Sequence, residues 1–213
     1  MTRYDRRSIV LAIGLSTLAG YVDAIGFLLS GRFFVSFMSG NSTRLGVDLG
    51  SGALTSAVVL TCVVLLFITG VVVGNLVQHQ SEASRRTAVL ILVAGLLALS
   101  AAFFESDRSS VGTALLLLGM GAENAVFRRD GEVSIGLTYI TGALVKMGQR
   151  LAAAIRGGSR WEWVPYSLLW VGLVGGAALG TFVQTRLVAN GLWGAVVLAL
   201  SLSAFSARTR NMS

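Results

Sequence analysis

Six times in this chain a run of 17 or more residues passes with scarcely a charge, and that pattern leaves few folds open. The runs are Ile9 to beyond Leu28, then about 55–78, 87–104, 110–127, 164–186 and 191–207. At 1.5 Å of rise per residue, each can cross a hydrocarbon core about 30 Å thick as a helix. Only 13% of the 213 residues are charged and the mean hydropathy is +0.75. An ordinary soluble domain carries about a quarter charged residues. The chain therefore reads as a single all-α integral membrane domain spanning residues 1–213, with lipid as its first partner. Its net charge of +7 belongs to basic residues at span ends, which set orientation, and calls for no nucleic acid. With one cysteine, Cys62, and one histidine, His79, neither a disulfide nor a Cys/His metal cluster is expected. Nothing asks for a cofactor. The first apolar run exceeds the roughly 7–15 residues of a cleavable signal core, so it reads as a retained span.

Two further stretches, about 33–50 and 133–155, are apolar but broken by Gly, Ser, Thr and a cation. In lipid no water satisfies a loosened backbone, so such stretches survive only when buried in protein or lining a cavity. They also belong to a repeat. Gly20-Tyr21-Val22-Asp23-Ala24 matches Gly121-Ala122-Glu123-Asn124-Ala125. Ser36-Phe37-Met38-Ser39-Gly40, with Arg44, matches Thr138-Tyr139-Ile140-Thr141-Gly142, with Lys146. Gly70-x-x-x-Gly74 finds its counterpart in Gly176-x-x-x-Gly180. Repeat one covers about 8–104 and repeat two about 110–207, a duplication of the kind common in transporter folds.

The expected architecture is six transmembrane helices plus two interrupted, re-entrant helical segments, with the halves inverted. Eight spans in two parallel repeats are the alternative. Counting charges separates them. The inverted form puts 13 of the 17 basic residues in the cytoplasm, whereas the parallel form puts only 9 there. The positive-inside rule favours inversion. Both forms leave the two termini cytoplasmic.

The blocks GYVDAIGFL, FVSFMSGNSTRLG, GAENAVFRRDG and GLTYITGALVKMGQ resemble the signature blocks of the YoaK-like family of bacterial multi-pass membrane proteins. That family is described as a domain of unknown function with permease-like character. The resemblance covers nearly the whole chain. It implies a protein of the bacterial inner membrane and a transporter, and it brings no substrate or functional residue with it.

On a helix, Ser36, Gly40 and Arg44 share one face at four-residue steps, as do Thr138, Gly142 and Lys146. Together with Ser39, Asn41 and Thr141 they form the expected substrate site, where broken-helix ends and two cations would hold an anionic or carboxylate-bearing solute. A neutral or aromatic solute is the alternative, given Phe33, Phe34, Phe37 and Tyr139. The bland reading is small residues packing helices while the two cations reach an interface. Asp23, Glu123 and Asn124 lie about 7 Å from the centres of their spans and are the candidates for a coupling ion or proton. For Asp23 the rival reading is an ion pair with Arg44 or Lys146, or a helix cap. The glycine pairs read as close helix packing, within the chain or in a homodimer through these glycine-rich helices. No nucleophile–base arrangement or phosphate-cradling loop is present, which argues against an enzyme. The expected function is a secondary transporter of a small solute bound between the repeats. A non-transporting structural or assembly protein is the second reading, and a channel or membrane enzyme the third.

Overall fold

The computed structural model of the chain describes residues 6–30, 33–77, 81–129, 132–133, 140–187 and 191–210. Its elements are α1 (Arg6–Leu29), α2 (Met38–Gly50), α3 (Leu54–Leu76), α4 (Glu82–Glu105), α5 (Ser109–Glu123), α6 (Ile140–Ile155), α7 (Val164–Phe182) and α8 (Leu192–Arg210). A 3₁₀ turn, Asn124–Phe127, extends α5, and Arg128–Arg129 pairs antiparallel with Glu132–Val133. The wider turn Val183–Leu187 follows α7. Among the described residues five stretches are long and apolar enough to cross a membrane: Arg7–Leu29, Leu54–Leu76, Ser84–Glu105, Ser109–Phe127 and Val164–Arg186. The apolar part of α8, Leu192–Arg208, is shorter. Five of the six expected spans are thus found within a few residues of their sequence bounds, and the sixth, about 191–207, forms this shorter apolar helix.

Glycines decide how the helices pair. Without a Cβ they let backbones approach closely, which in lipid replaces the missing hydrophobic drive between helices. A Cβ added at Gly176 would lie 2.1 Å from the Thr17 carbonyl oxygen, and one at Gly180 2.5 Å from that of Tyr21. So α7 runs parallel to α1, in backbone contact with it. In the same way a Cβ at Gly70 would lie 2.2 Å from the Leu118 carbonyl oxygen, and one at Gly74 2.7 Å from that of Ala122. So α3 runs parallel to α5. The glycine pairs are thus used inside the chain, each against a helix of the other half.

The remaining contacts are antiparallel. Tyr21 hydroxyl donates to the Gly191 carbonyl at 2.8 Å, and Gly14 faces Leu202, so α8 descends along α1. Ser203 Oγ donates to the Thr87 carbonyl at 3.3 Å at one end of α4, and Trp193 Nε1 donates to Glu105 at 2.9 Å at the other. Ser100 Oγ donates to the Gly112 carbonyl at 2.7 Å, and Arg85 reaches the Ala125 carbonyl, so α5 runs back along α4. Following these contacts round, α1, α4 and α7 point one way and α3, α5 and α8 the other. Because α1 and α3 are opposed, α2 makes no net crossing, and the same holds for α6 between α5 and α7. Thirteen residues of α2 rise only about 20 Å, too little to span.

Burial follows from this arrangement. In their most apolar stretches, 67% of residues are buried in both α1 and α5, against 28% in α3 and 22% in α7. The first two helices are central and the latter two present Val58, Leu65, Val72, Leu168, Val171 and Leu179 outward, the surface that lipid covers. Leu15, Leu18 and Ile25 of α1 pack in one core with Leu90 and Leu97 of α4 and Leu116 and Met120 of α5. Cys62 is exposed on α3.

Candidate functional site

The site begins with one carboxylate. Asp23 lies on the buried face of α1, six residues before its end. Its Oδ1 accepts hydrogen bonds from the backbone N–H groups of Val35 and Ser36, both at 2.7 Å. Its Oδ2 accepts from Ser36 Oγ, and the Phe37 backbone adds a further contact. The segment 33–37 is therefore not helical, because its donors are turned towards α1 rather than along their own chain. A second clamp follows immediately. Buried Asn41, near the start of α2, accepts from the Phe34 N–H at 3.1 Å and donates to the Phe34 carbonyl at 2.6 Å. Backbone groups that would be orphaned in lipid are in this way satisfied by two side chains.

The pinned segment carries an aromatic cluster. Phe34 stacks on Phe27 of α1 with centroids 5.1 Å apart and meets Phe37 edge-on at 5.4 Å. Beneath these rings lies a cavity of about 480 Å³. Its walls are Gly20, Asp23, Ala24 and Leu28 of α1, Ser36 of the segment, Thr141 and Leu144 of α6, and Leu173 and Thr181 of α7. Elements of both halves enclose it. Polar groups are few and convergent in an otherwise apolar lining, which is the character of a small-molecule site. A second cavity of about 440 Å³ lies between the end of α1, α3 and α5, with Cys62 and Ser109 on its walls.

The expected site residues are only partly brought together. Asp23, Ser36 and Thr141 line the cavity. Asn41 braces it from behind, and Gly40 backs onto the Phe37 ring, 2.5 Å from where its Cβ would be. Ser39, Gly142, Arg44 and Lys146 are exposed on α2 and α6, outside the lining. The shared helical face of Ser36, Gly40 and Arg44 does not form, since α2 begins at Met38 and Asp23 holds Ser36 outside it. Two cations facing an anion are consequently not what this cavity offers. Nor does Asp23 pair with either cation. Among the described residues, backbone donors and Ser36 hold it. Thr138, Tyr139 and His79 lie outside the described residues.

Glu123 ends α5, fully buried, and among the described residues neither of its carboxyl oxygens has a hydrogen-bond partner. Asp23 acts on it electrostatically across the core. Asn124, the counterpart of Asp23, donates to the Met120 carbonyl of its own helix at 3.0 Å. Arg86 stacks its guanidinium over Phe127 at 5.0 Å. Gln184 accepts from the Gly191 N–H at 2.7 Å, just before α8. Sequence reasoning missed Phe27 and Thr181. The signals for them were present: Phe27 stands four residues after Asp23 on one helical face, and Thr181 follows Gly180 of the glycine pair.

Residues 11–205 match the family model described as "Protein of unknown function (DUF1275)". The chain is 34% identical over 201 residues to the UPF0700 transmembrane protein RA0705 of Rhizobium meliloti (strain 1021), covering 93% of this chain and 87% of that one. It is 29% identical over 155 residues to the UPF0700 transmembrane protein YoaK of Bacillus subtilis (strain 168), covering 69% and 68%. No solved structure matches. The resemblance read from the sequence blocks is thereby shown, and this multi-pass chain belongs to the DUF1275 family of YoaK-like membrane proteins.

Proposed function

We propose that the chain is a secondary transporter of a small solute, with its site in the cavity beneath segment 33–37. The observation that carries this reading is a non-helical segment, pinned by Asp23 and Asn41, over a cavity walled by both halves. Irregular backbone lining a cavity between two repeats is an arrangement that transporter sites share. The rival, a purely structural protein, has no need of such a cavity. An anion is not the solute this lining supports, since Arg44 and Lys146 stand outside it.

The halves form an inverted repeat in this account. Thr17 and Tyr21 correspond to Leu118 and Ala122 at an offset of 101, while Gly70 and Gly74 correspond to Gly176 and Gly180 at an offset of 106. Both offsets recur in the glycine contacts, and α4 and α8, which would be equivalent, run antiparallel. Inverted repeats of this kind are common in transporter folds, where helix bundles move against each other around a fixed site. Glu123 is the candidate for a coupling proton, because its buried carboxyl has no bond to break on protonation.

Orientation follows from the basic residues, with both termini on the cytoplasmic side of the bacterial inner membrane. With Cys62 replaced, a single cysteine at Ser84 should be shielded from impermeant reagents outside, and one at Asp107 labelled. The reverse labelling would establish eight spans instead. The transport reading itself is tested by screening metabolite pools for thermal stabilisation of the purified protein, then measuring counterflow of the hits in vesicles. Stabilising solutes should exchange across the bilayer, and Glu123→Gln should retain exchange but lose pH-driven accumulation. Solutes that bind without ever crossing would contradict transport.

A further inference from the structure

Three phenyl rings and one carboxylate define the chemistry of the cavity more closely than its volume does. Phe34 touches both Phe27 and Phe37, and all three line it. Asp23 is, among the described lining residues, the one that can carry a charge. Its partners are neutral dipoles, the N–H groups of Val35 and Ser36 and the Ser36 hydroxyl. Those bonds orient the carboxylate, and among the described residues no cation pairs with its charge. Aromatic faces carry negative quadrupole potential and attract a cation within about 6 Å of the ring centroid. An anion entering here meets a like charge. A neutral solute gains the apolar walls of Leu144 and Leu173 but leaves the carboxylate unanswered.

We infer that the cavity takes an organic monocation with an apolar or aromatic body, such as a substituted amine or quaternary ammonium, its charge between Asp23 and the Phe27–Phe34–Phe37 rings. This rests on the solute-site reading above and narrows it to one class. A quaternary head suits the lining, because it demands no hydrogen-bond acceptors beyond the carboxylate's field and sheds its weak hydration at little cost. The 480 Å³ of space matches a drug-sized or smaller molecule.

The experiment compares benzyltrimethylammonium with its uncharged isostere neopentylbenzene and with phenylacetate, by thermal shift and calorimetry on the full chain in detergent. The ammonium should bind at least about tenfold tighter than the isostere, from ring and charge attraction together, and phenylacetate should not bind. Asp23→Asn should erase the preference, because its amide oxygen still accepts from Val35 and Ser36 while the charge is gone. Phe37→Leu, which leaves those bonds untouched, should weaken the ammonium more than the isostere and covers the case of a poorly folded Asp23→Asn. Equal affinity for cation and isostere overturns the class, as does failure of the ammonium to bind, and neither touches transport of another solute. Tight, Asp23-dependent binding with no passage across vesicles overturns transport and leaves the class standing.

Discussion

Gly176→Ala is expected to lower the stability of the folded protein by about 3 kcal/mol or more, the upper range of overpacking effects. The new methyl would sit 2.1 Å from the Thr17 carbonyl oxygen and 2.9 Å from its carbon. Both are backbone atoms of one of the two most buried helices, so no side chain can swing aside. Relief requires α1 and α7 to separate along the whole contact from Gly172 to Gly180, which would also strip Ser16 Oγ of its 2.8 Å bond to the Leu169 carbonyl. Gly175→Ala is the control. A Cβ there meets nothing within 4 Å, so the change should stay within about 0.5 kcal/mol of neutral. Gly70→Ala, facing the Leu118 carbonyl at 2.2 Å, should behave like Gly176→Ala. Reversible unfolding in mixed detergent measures all three. A neutral Gly176→Ala would mean that the two helices are not in backbone contact.

Asp23→Ala is the second large effect, about 3–5 kcal/mol. It removes the acceptor of two backbone N–H groups and one hydroxyl at once. Each buried donor left without an acceptor costs about 1–3 kcal/mol. Ser36→Ala, by contrast, deletes one donor and leaves both N–H bonds, so it should cost about 1 kcal/mol. The damage should also be local at first. Segment 33–37 would lose its hold on α1 while Asn41 still clamps Phe34, so hydrogen exchange at Val35 and Ser36 should accelerate before global unfolding. If Asp23→Ala melts like Ser36→Ala, the carboxylate does not organise this segment.

The glycines and the carboxylate show where sequence was legible and where it was not. The helices could be read because each apolar run ends at charges or turns, as α3 does between Asp48 and Glu82. The repeat could be read because it depends on residues with narrow physical uses: glycines for backbone contact and a polar group at a fixed place on a central helix. Which helix each glycine meets could not be read. Local spacing says that Gly176 and Gly180 face something, and only the chain path puts Thr17 and Tyr21 there. Ser36 was misplaced for a related reason. A 3.6-residue period carried from 36 to 44 presumes one continuous helix, but bonds from Asp23, 12 and 13 residues away, hold the first part of that stretch open. The cations misled because charge in an apolar stretch reads as buried, whereas α2 and α6 expose that face.

The central claim is a solute site that opens to the two sides of the membrane in turn. Thr141 tests it most directly, since it is exposed on the cavity wall at the start of α6. In a chain with Cys62 replaced by serine, Thr141→Cys should react with an impermeant thiol reagent added to either side of sealed vesicles. A bound organic cation should protect it from both. Reaction from one side only, or reaction from both sides unaffected by every binding solute, would contradict the account.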